Sequence, residues 1–411
     1  MPDAPVIRSD VPGSFARSVF HERHPELVRR VLDALPYGPA ERAAIERLLT
    51  ESTGGGVLEP LPADAPDAAQ WLAWGEGRWG EPWSEAPFLW AESYFYRRLL
   101  DATGYFRPGA WQGVDPFAPF KDAELRGTAV DGELAALSGL TDLPPDRRTD
   151  ALLASALWGN RADLSFAMAA ESGEPDESDE SDESDDRGPS VPAASPPAAS
   201  PLAADDSALL HAELTRSGPG RVCLIADNAG RELLPDLVLI DHLLTAALAA
   251  EVVLHVKPQP YFVSDATTDD VLATVQRLRT APVPAAEAIG RRLWQALTAG
   301  TLTIRTHPFH CAPLPYHDLP ADLRAELAGA TLTILKGDLN YRRLVGDRHW
   351  PPTTPFAAAA GHFPSPVAAL RTLKSDVVVG LAPTTVTRLD ATGTPWRTNG
   401  RHAVIQVRPH P

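Results

Sequence analysis

A chain of 411 residues, 44% of them hydrophobic, exceeds what one small core needs and carries enough apolar side chain to bury a large interior. Its formal charge of -17 overstates its acidity, because residues 171–186 hold ten Asp and Glu and no base, leaving -7 for the remainder. No basic stripe or arm occurs, which argues against nucleic acid or an anionic membrane as the main partner and leaves room for a local cationic pocket around a small anion.

The N-terminal residues MPDAPVIRSDVPGSF lack a charged segment followed by an apolar one, and no stretch approaches a membrane span, so a cytoplasmic protein is expected. Cys223 and Cys311 cannot make a disulfide framework or a four-cysteine zinc site. Cys223 sits in a strand pattern and reads as a small buried hydrophobe.

Residues 1–168 read as a mainly helical N-terminal domain: SVFHERHPELVRRVLDAL, PAERAAIERLL and APFLWAESYFYRRLLDA place apolar residues near helical spacing. Six of the ten tryptophans fall between Trp71 and Trp111, with Phe88, Tyr94, Phe95 and Tyr96 among them, which favours an aromatic core over a ligand platform. Glu92, Arg97 and Arg98 share one of these helices. Residues 169–207 pass from ESGEPDESDESDESDD to a Pro, Ala and Ser tract, and read as a disordered acidic linker too polar to offset its chain entropy.

From 208 to 411 the pattern alternates. RVCLIA, EVVLHV, LTIR, ATLTIL and HAVIQV read as strands, and RELLPDLVLIDHLLTAALA, TTDDVLATVQRLR, AEAIGRRLWQALTA and PADLRAELA as helices. This predicts an α/β fold with a Rossmann-like, doubly wound parallel sheet, whose ligands lie at the carboxyl ends of the strands.

Polar residues terminate those strands. Asp227 and Asn228 follow RVCLIA just before Gly230 and a helix, and Asp265 ends the neighbouring strand segment, 38 residues on. Two carboxylates and an amide are hard oxygen donors suited to Mg²⁺ or Mn²⁺. Taken alone, an Asp-Asn pair is a helix cap or Asx turn. Arg371 offers a planar fork and Lys374 a point charge for phosphate oxygens, with Asn340 and Arg342 as further donors. Such cations are usually solvated, but the conjunction of several segments points to a metal beside a phosphate.

Other signals fail on context. Gly75, Gly77 and Gly80 fit a dinucleotide glycine pattern but follow no strand. His307, His310, Cys311 and His317 are broken up by prolines with no second ligand pair nearby, so a packed loop is the better reading than zinc. His255 lies in a strand pattern and reads as a core histidine.

On CLIADNAGRELLPDLVLIDHLL, HVKPQPYFVSDATTDDV, LKGDLNYRRLVGDRHW and LRTLKSDVVVGL the chain resembles the damage-control phosphatases, specifically the subfamily III that carries an RTxK motif and an acidic-residue methyltransferase name. Weaker matches at PGSFA, APFLWAESYFYRRLL and ALWGNRADLS extend the resemblance over nearly the whole chain apart from the acidic linker. The resemblance implies metal-dependent hydrolysis of phosphomonoesters, including fructose 1-phosphate and fructose 6-phosphate, with Mn²⁺, Co²⁺, Ni²⁺ or Mg²⁺. By matched position Asp227, Asn228 and Asp265 become metal ligands, Asp227 and Asp265 the catalytic carboxylates. Asp227, Asn228, Glu232, Asp338, Leu339, Asn340, Tyr341, Arg342, Arg371 and Lys374 become the substrate contacts. Attack by a carboxylate and attack by activated water both fit. Two other functions compete: methyl transfer from S-adenosylmethionine to protein carboxylates, disfavoured because DNAGRE replaces a Gly-rich first turn, and a non-catalytic sugar-phosphate sensor.

Overall fold

Helical periodicity in the first third of the chain becomes helices. The computed structural model describes residues 4–159, 202–216 and 218–410. It opens with α1 (Phe15–Ser18), which continues through a π turn (Val19–Arg23) into α2 (His24–Ala34). Then come α3 (Pro39–Thr53), α4 (Ala68–Trp74), α5 (Phe88–Ala102), α6 (Ala118–Leu125), α7 (Thr128–Ala136) and α8 (Pro145–Trp158). The tryptophan-rich stretch is core: Trp71, Trp83 and Trp90 are buried and pack around the ring of Tyr94. The acidic tract at 171–186 lies outside the described residues.

The alternating half contains β1 (Leu202–Asp205), α9 (Ser207–Arg216), β2 (Gly220–Ile225), α10 (Leu233–Thr245), β3 (Ala249–Val256), α11 (Thr268–Arg279), α12 (Pro284–Ala299) and β4 (Leu302–Thr306). It ends with α13 (Ala321–Ala328), β5 (Leu332–Lys336), α14 (Gly337–Val345), α15 (Phe356–Ala359), β6 (Val367–Thr372), α16 (Pro383–Asp390) and β7 (Ala403–Arg408). Among the described residues the strands form one sheet in the order β1-β7-β6-β5-β2-β3-β4. The sheet grows outward in both directions from the β5/β2 pair, so its topological switch lies between their carboxyl ends.

Three details differ from the sequence expectation. β6 and β7 pair antiparallel, so the sheet is mixed rather than wholly parallel. β6 itself, VAALRT, lacks the dense β-branched signature of its neighbours. β1 lies inside the segment read as linker, where four residues after a Pro/Ala tract leave too short a pattern to recognise.

Side-chain alternation on the strands explains why the helical region and the sheet cohere. Cys223 and Ile225 of β2 pack with Phe88, Phe95 and Leu99 in one apolar cluster, whereas Val222 and Leu224 face a second cluster holding Leu152, Leu237 and Val275. Helices cover both faces, and the aromatic N-terminal core is continuous with one of them. No helix among the described residues is long and apolar enough to cross a membrane.

Candidate active site

The loops leaving β2 and β3 are joined through their backbones. Asn228 and Asp265 form an antiparallel bridge, Ala229 N–H donates to Ser264 O at 2.7 Å, and Ala266 N–H donates to Asp227 O at 2.8 Å. Asp227 and Asp265, both buried, are thereby carried on adjoining segments at the carboxyl ends of paired parallel strands. Burial, reinforced by the charges of Asp265 and Glu232, pushes the Asp227 carboxyl well above its ordinary range. Burial likewise drives Asp265 up to about 6, against the pull of Lys257 and Lys121.

The Asp265 loop is strained. Phe262 (φ 45°) and Val263 (φ 65°) both adopt the left-handed conformation, which costs a non-glycine residue roughly 1–2 kcal/mol and suits a β-branched one least. Packing from α5 holds the loop there: the Phe262 ring stacks on Tyr96 with centroids 4.7 Å apart, and Tyr261 Oη donates to Ser93 Oγ at 2.6 Å.

Lys257 Nζ sits 3.3 Å from Asp265 Oδ2 in a buried ion pair that no hydrogen bond completes. A buried carboxylate paired only in this way, beside a second buried carboxylate, keeps lone pairs free for a further cation. Asn228 Nδ2 donates to Glu232 Oε2 at 2.9 Å and approaches Asp227 Oδ2 at 3.4 Å, while its Oδ1 accepts from Ser264 Oγ at 2.8 Å. A half-turn of that amide brings Oδ1 to Asp227 and hands Nδ2 to the Ser264 hydroxyl, which accepts equally well, at the cost of the hydrogen bond to Glu232, whose carboxylate must then move off or share a cation with Oδ1. The donor set therefore fits Mg²⁺ or Mn²⁺: Asp227, Asp265 and the Asn228 amide, with water and substrate oxygens left to complete the shell. Among the described residues no group of three or more His, Cys, Asp or Glu side chains is placed to hold a metal ion.

Gly337 opens the other side. It begins α14 at φ +81°, and a Cβ placed on it would lie 1.7 Å from Asp227 Oδ2. Absence of a side chain lets the carboxylate rest against the first turn of α14.

The RTxK residues divide their work. Arg371 is fully buried and makes no approach to an open cleft: Nε donates to Asp338 Oδ1 at 2.8 Å, Nη2 to Ser375 Oγ at 2.9 Å and Nη1 to Val377 O, with the guanidinium 4.3 Å above the Tyr341 ring. Burial opposes the charge on Asp338, but Arg371 and Arg342 outweigh it and hold that carboxyl below its usual range. Lys374, with a 44% exposed side chain, reaches Glu232 Oε1 at 3.1 Å. Desolvation opposes its charge, yet Glu232 and Asp227 raise its pKa further, so it stays an ammonium.

The segment after Gly337 faces mostly inward. Leu339 is core. Asn340 is fully buried, donating to Lys336 O at 2.8 Å and Ala226 O at 3.1 Å while accepting from Tyr316 Oη at 2.8 Å, so it fastens α14 to the end of β2. Tyr341 Oη donates to Gln406 Oε1 at 2.8 Å, and Arg342 binds Asp347 (2.8 Å) and Glu92 (3.0 Å). The structure thus brings Asp227, Asn228, Glu232, Asp265, Asp338 and Lys374 within electrostatic reach of one another and directs Leu339, Asn340, Tyr341, Arg342 and Arg371 into the framework.

Sequence reading did not single out Lys257, Lys121, Ser264 or Ser375. Lys257, one residue past β3, carried a usable signal as a cation interrupting an apolar run; Lys121 carried none.

The damage-control phosphatase ARMT1-like domain model matches residues 19–389. Curated relatives include the damage-control phosphatase ARMT1 of Danio rerio, 31% identical with 97% of this chain and 96% of that protein covered, and that of Mus musculus, 31% identical with 96% of each covered. The Homo sapiens protein of the same name is 29% identical over 96% of each chain. A crystal structure of a DUF89 family protein from Pyrococcus horikoshii aligns with a TM-score of 0.48 and 15% identity, covering 94% of this chain and 96% of that one. A match running almost from end to end, with relatives equally covered, means that this chain belongs to the damage-control phosphatase ARMT1-like family.

Proposed function

We propose that this chain is a cytoplasmic, divalent-cation-dependent phosphatase that hydrolyses phosphomonoesters of small metabolites, sugar phosphates such as fructose 1-phosphate and fructose 6-phosphate among them. Membership of a family whose curated relatives are named damage-control phosphatases supports phosphatase chemistry over methyl transfer. The observation that carries the metal reading is the buried Asp227 and Asp265 pair, with Asp265 Oδ2 ion-paired to Lys257 without a hydrogen bond and Lys374 held beside Asp227 by Glu232.

A bound Mg²⁺ or Mn²⁺ would supply Lewis acidity toward a phosphoryl oxygen. Lys374 neutralises charge on the phosphoryl oxygens, exchanging the Glu232 carboxylate for a phosphate dianion. Glu232, once displaced, and Asp338, whose Oδ1 is already engaged, accept hydrogen bonds from sugar hydroxyls. Arg371 acts behind them by keeping Asp338 ionised and oriented.

The test is phosphate release over a panel of phosphometabolites with Mn²⁺, Co²⁺, Ni²⁺ and Mg²⁺, alongside methyl transfer from labelled S-adenosylmethionine. Asp227→Ala and Asp265→Ala should each lose about 3 kcal/mol or more of transition-state stabilisation, a hundredfold or greater drop, while remaining folded. Undiminished turnover in both variants sinks the assignment.

A further inference from the structure

Helix α6, contributed by the helical region, lies across both proposed ligand loops. Two of its residues, Lys121 and Glu124, stand one turn apart on the same face. Lys121, almost fully buried, donates to the backbone oxygen of Asp265 at 3.3 Å and to Asp270 Oδ2 at 2.8 Å, and it pairs with Asp115 Oδ2 at 2.8 Å. Asp270 Oδ2 in turn accepts from Thr267 N–H and Oγ1, both at 2.8 Å, closing the cap of α11 that immediately follows Asp265. Glu124 presses on the other loop. A Cβ on Gly230 would fall 2.3 Å from Glu124 Oε2, so the carboxylate rests directly against the backbone of that loop. Next along, Glu133 of α7 pairs with Arg231 Nη2 at 2.6 Å.

We propose that α6 is a clamp in which Lys121 and Glu124 are positioning residues, setting the separation of the Asp227-Asn228 and Asp265 loops and hence the affinity for a divalent cation. The inference rests on the metal reading given above. Its physical basis is that hard cations such as Mg²⁺ demand short, well-defined oxygen distances. The Asp265 loop stores strain at Phe262 and Val263 that it would release unless tied down. Lys121 supplies a tie at the backbone oxygen of Asp265 itself. Neither residue touches the reacting atoms.

The experiment measures Mn²⁺ binding to the full chain by isothermal titration calorimetry and, separately, amide hydrogen exchange of the metal-free chain. Lys121→Met and Glu124→Ala should each weaken Mn²⁺ binding by about tenfold or more, the usual cost of losing a group that orients a metal ligand. Glu124→Gln, which keeps the shape of the side chain packed on Gly230 without its charge, should restore most of it, as a purely electrostatic role would not allow. In Lys121→Met the amides of Lys257 and Ala266, which close the loop by hydrogen bonds, should exchange faster without metal. Mn²⁺ affinity within twofold of wild type in Lys121→Met and Glu124→Ala overturns the clamp. If the wild-type chain binds no Mn²⁺, the metal reading fails, and the exchange data alone decide: unchanged protection in Lys121→Met overturns the clamp. Should Lys121→Met not fold, the contrast between Glu124→Ala and Glu124→Gln, read by the same two measurements, decides in its place.

Discussion

Gly337→Ala tests the site through a single methyl group. The new Cβ would start 1.7 Å from Asp227 Oδ2, and real Cβ contacts do not fall below 3.0 Å, so the carboxylate must retreat by at least about 1.3 Å or α14 must shift. Left-handed backbone at φ +81° adds roughly 1–2 kcal/mol of strain. Gly300, which ends α12, separates the two effects. Its backbone is left-handed at φ +76° and ψ 8°, and no heavy atom lies within 4 Å of a Cβ there, so Gly300→Ala carries the backbone strain without the collision. A displacement near 1 Å in a reacting constellation costs on the order of a hundredfold in rate. Both variants should therefore lose a similar 1–2 kcal/mol in urea unfolding, while Gly337→Ala alone loses about a hundredfold in metal-dependent kcat/KM and weakens Mn²⁺ binding. Equal catalysis in the two variants would refute the placement of Asp227 against α14 as a functional requirement.

The two motif cations should separate under substitution. Arg371→Met strands the Asp338 carboxylate beside a buried apolar side chain and should destabilise the fold by about 3–5 kcal/mol, whereas Lys374→Met breaks a half-exposed pair worth about 0–1 kcal/mol and should instead raise KM for phosphate esters at unchanged melting temperature. The reverse pattern would mean that the roles are exchanged. Glu92 shares the Arg342 guanidinium with Asp347, which holds it through two hydrogen bonds of 2.8 and 3.1 Å, so burial dominates at Glu92 and raises its carboxyl to about 7. A raised carboxyl stabilises the fold fully below its unfolded pKa and loses that contribution as pH rises through the folded value. Wild-type unfolding free energy should accordingly fall by about 1.4 kcal/mol between pH 6 and 8 relative to Glu92→Gln, and parallel curves for the two proteins would dismiss the shift.

Much of the framework was legible because periodicity reports burial directly. Apolar runs located β2, β3, β4, β5 and β7, and the polar residues after β2 and β3 marked where a site gathers, although Asp265, expected at the end of its strand, lies nine residues past β3 on a loop that folds back to the end of β2. β6 and β1 escaped for the opposite reason: Val-Ala-Ala-Leu and Leu-Ala-Ala-Asp are apolar enough for a strand but equally fit a helix or a loop. Their place is decided by pairing with strands far away in sequence.

What the sequence determined by itself, then, is the alternation of strands and helices, the identity of the family and the chemical character of the strand-end residues, because each is written in local pattern or motif. Which charges stay accessible and which are sealed into the framework was decided only by the tertiary structure. Arg371 and Lys374 lie three residues apart and look interchangeable as phosphate binders, yet one is sealed against Asp338 and the other stands half exposed beside Glu232. Lys121 is an unremarkable helical lysine until folding lays it on a carbonyl 144 residues away. Burial and charge compensation depend on everything packed around a group, and no window of sequence contains that information.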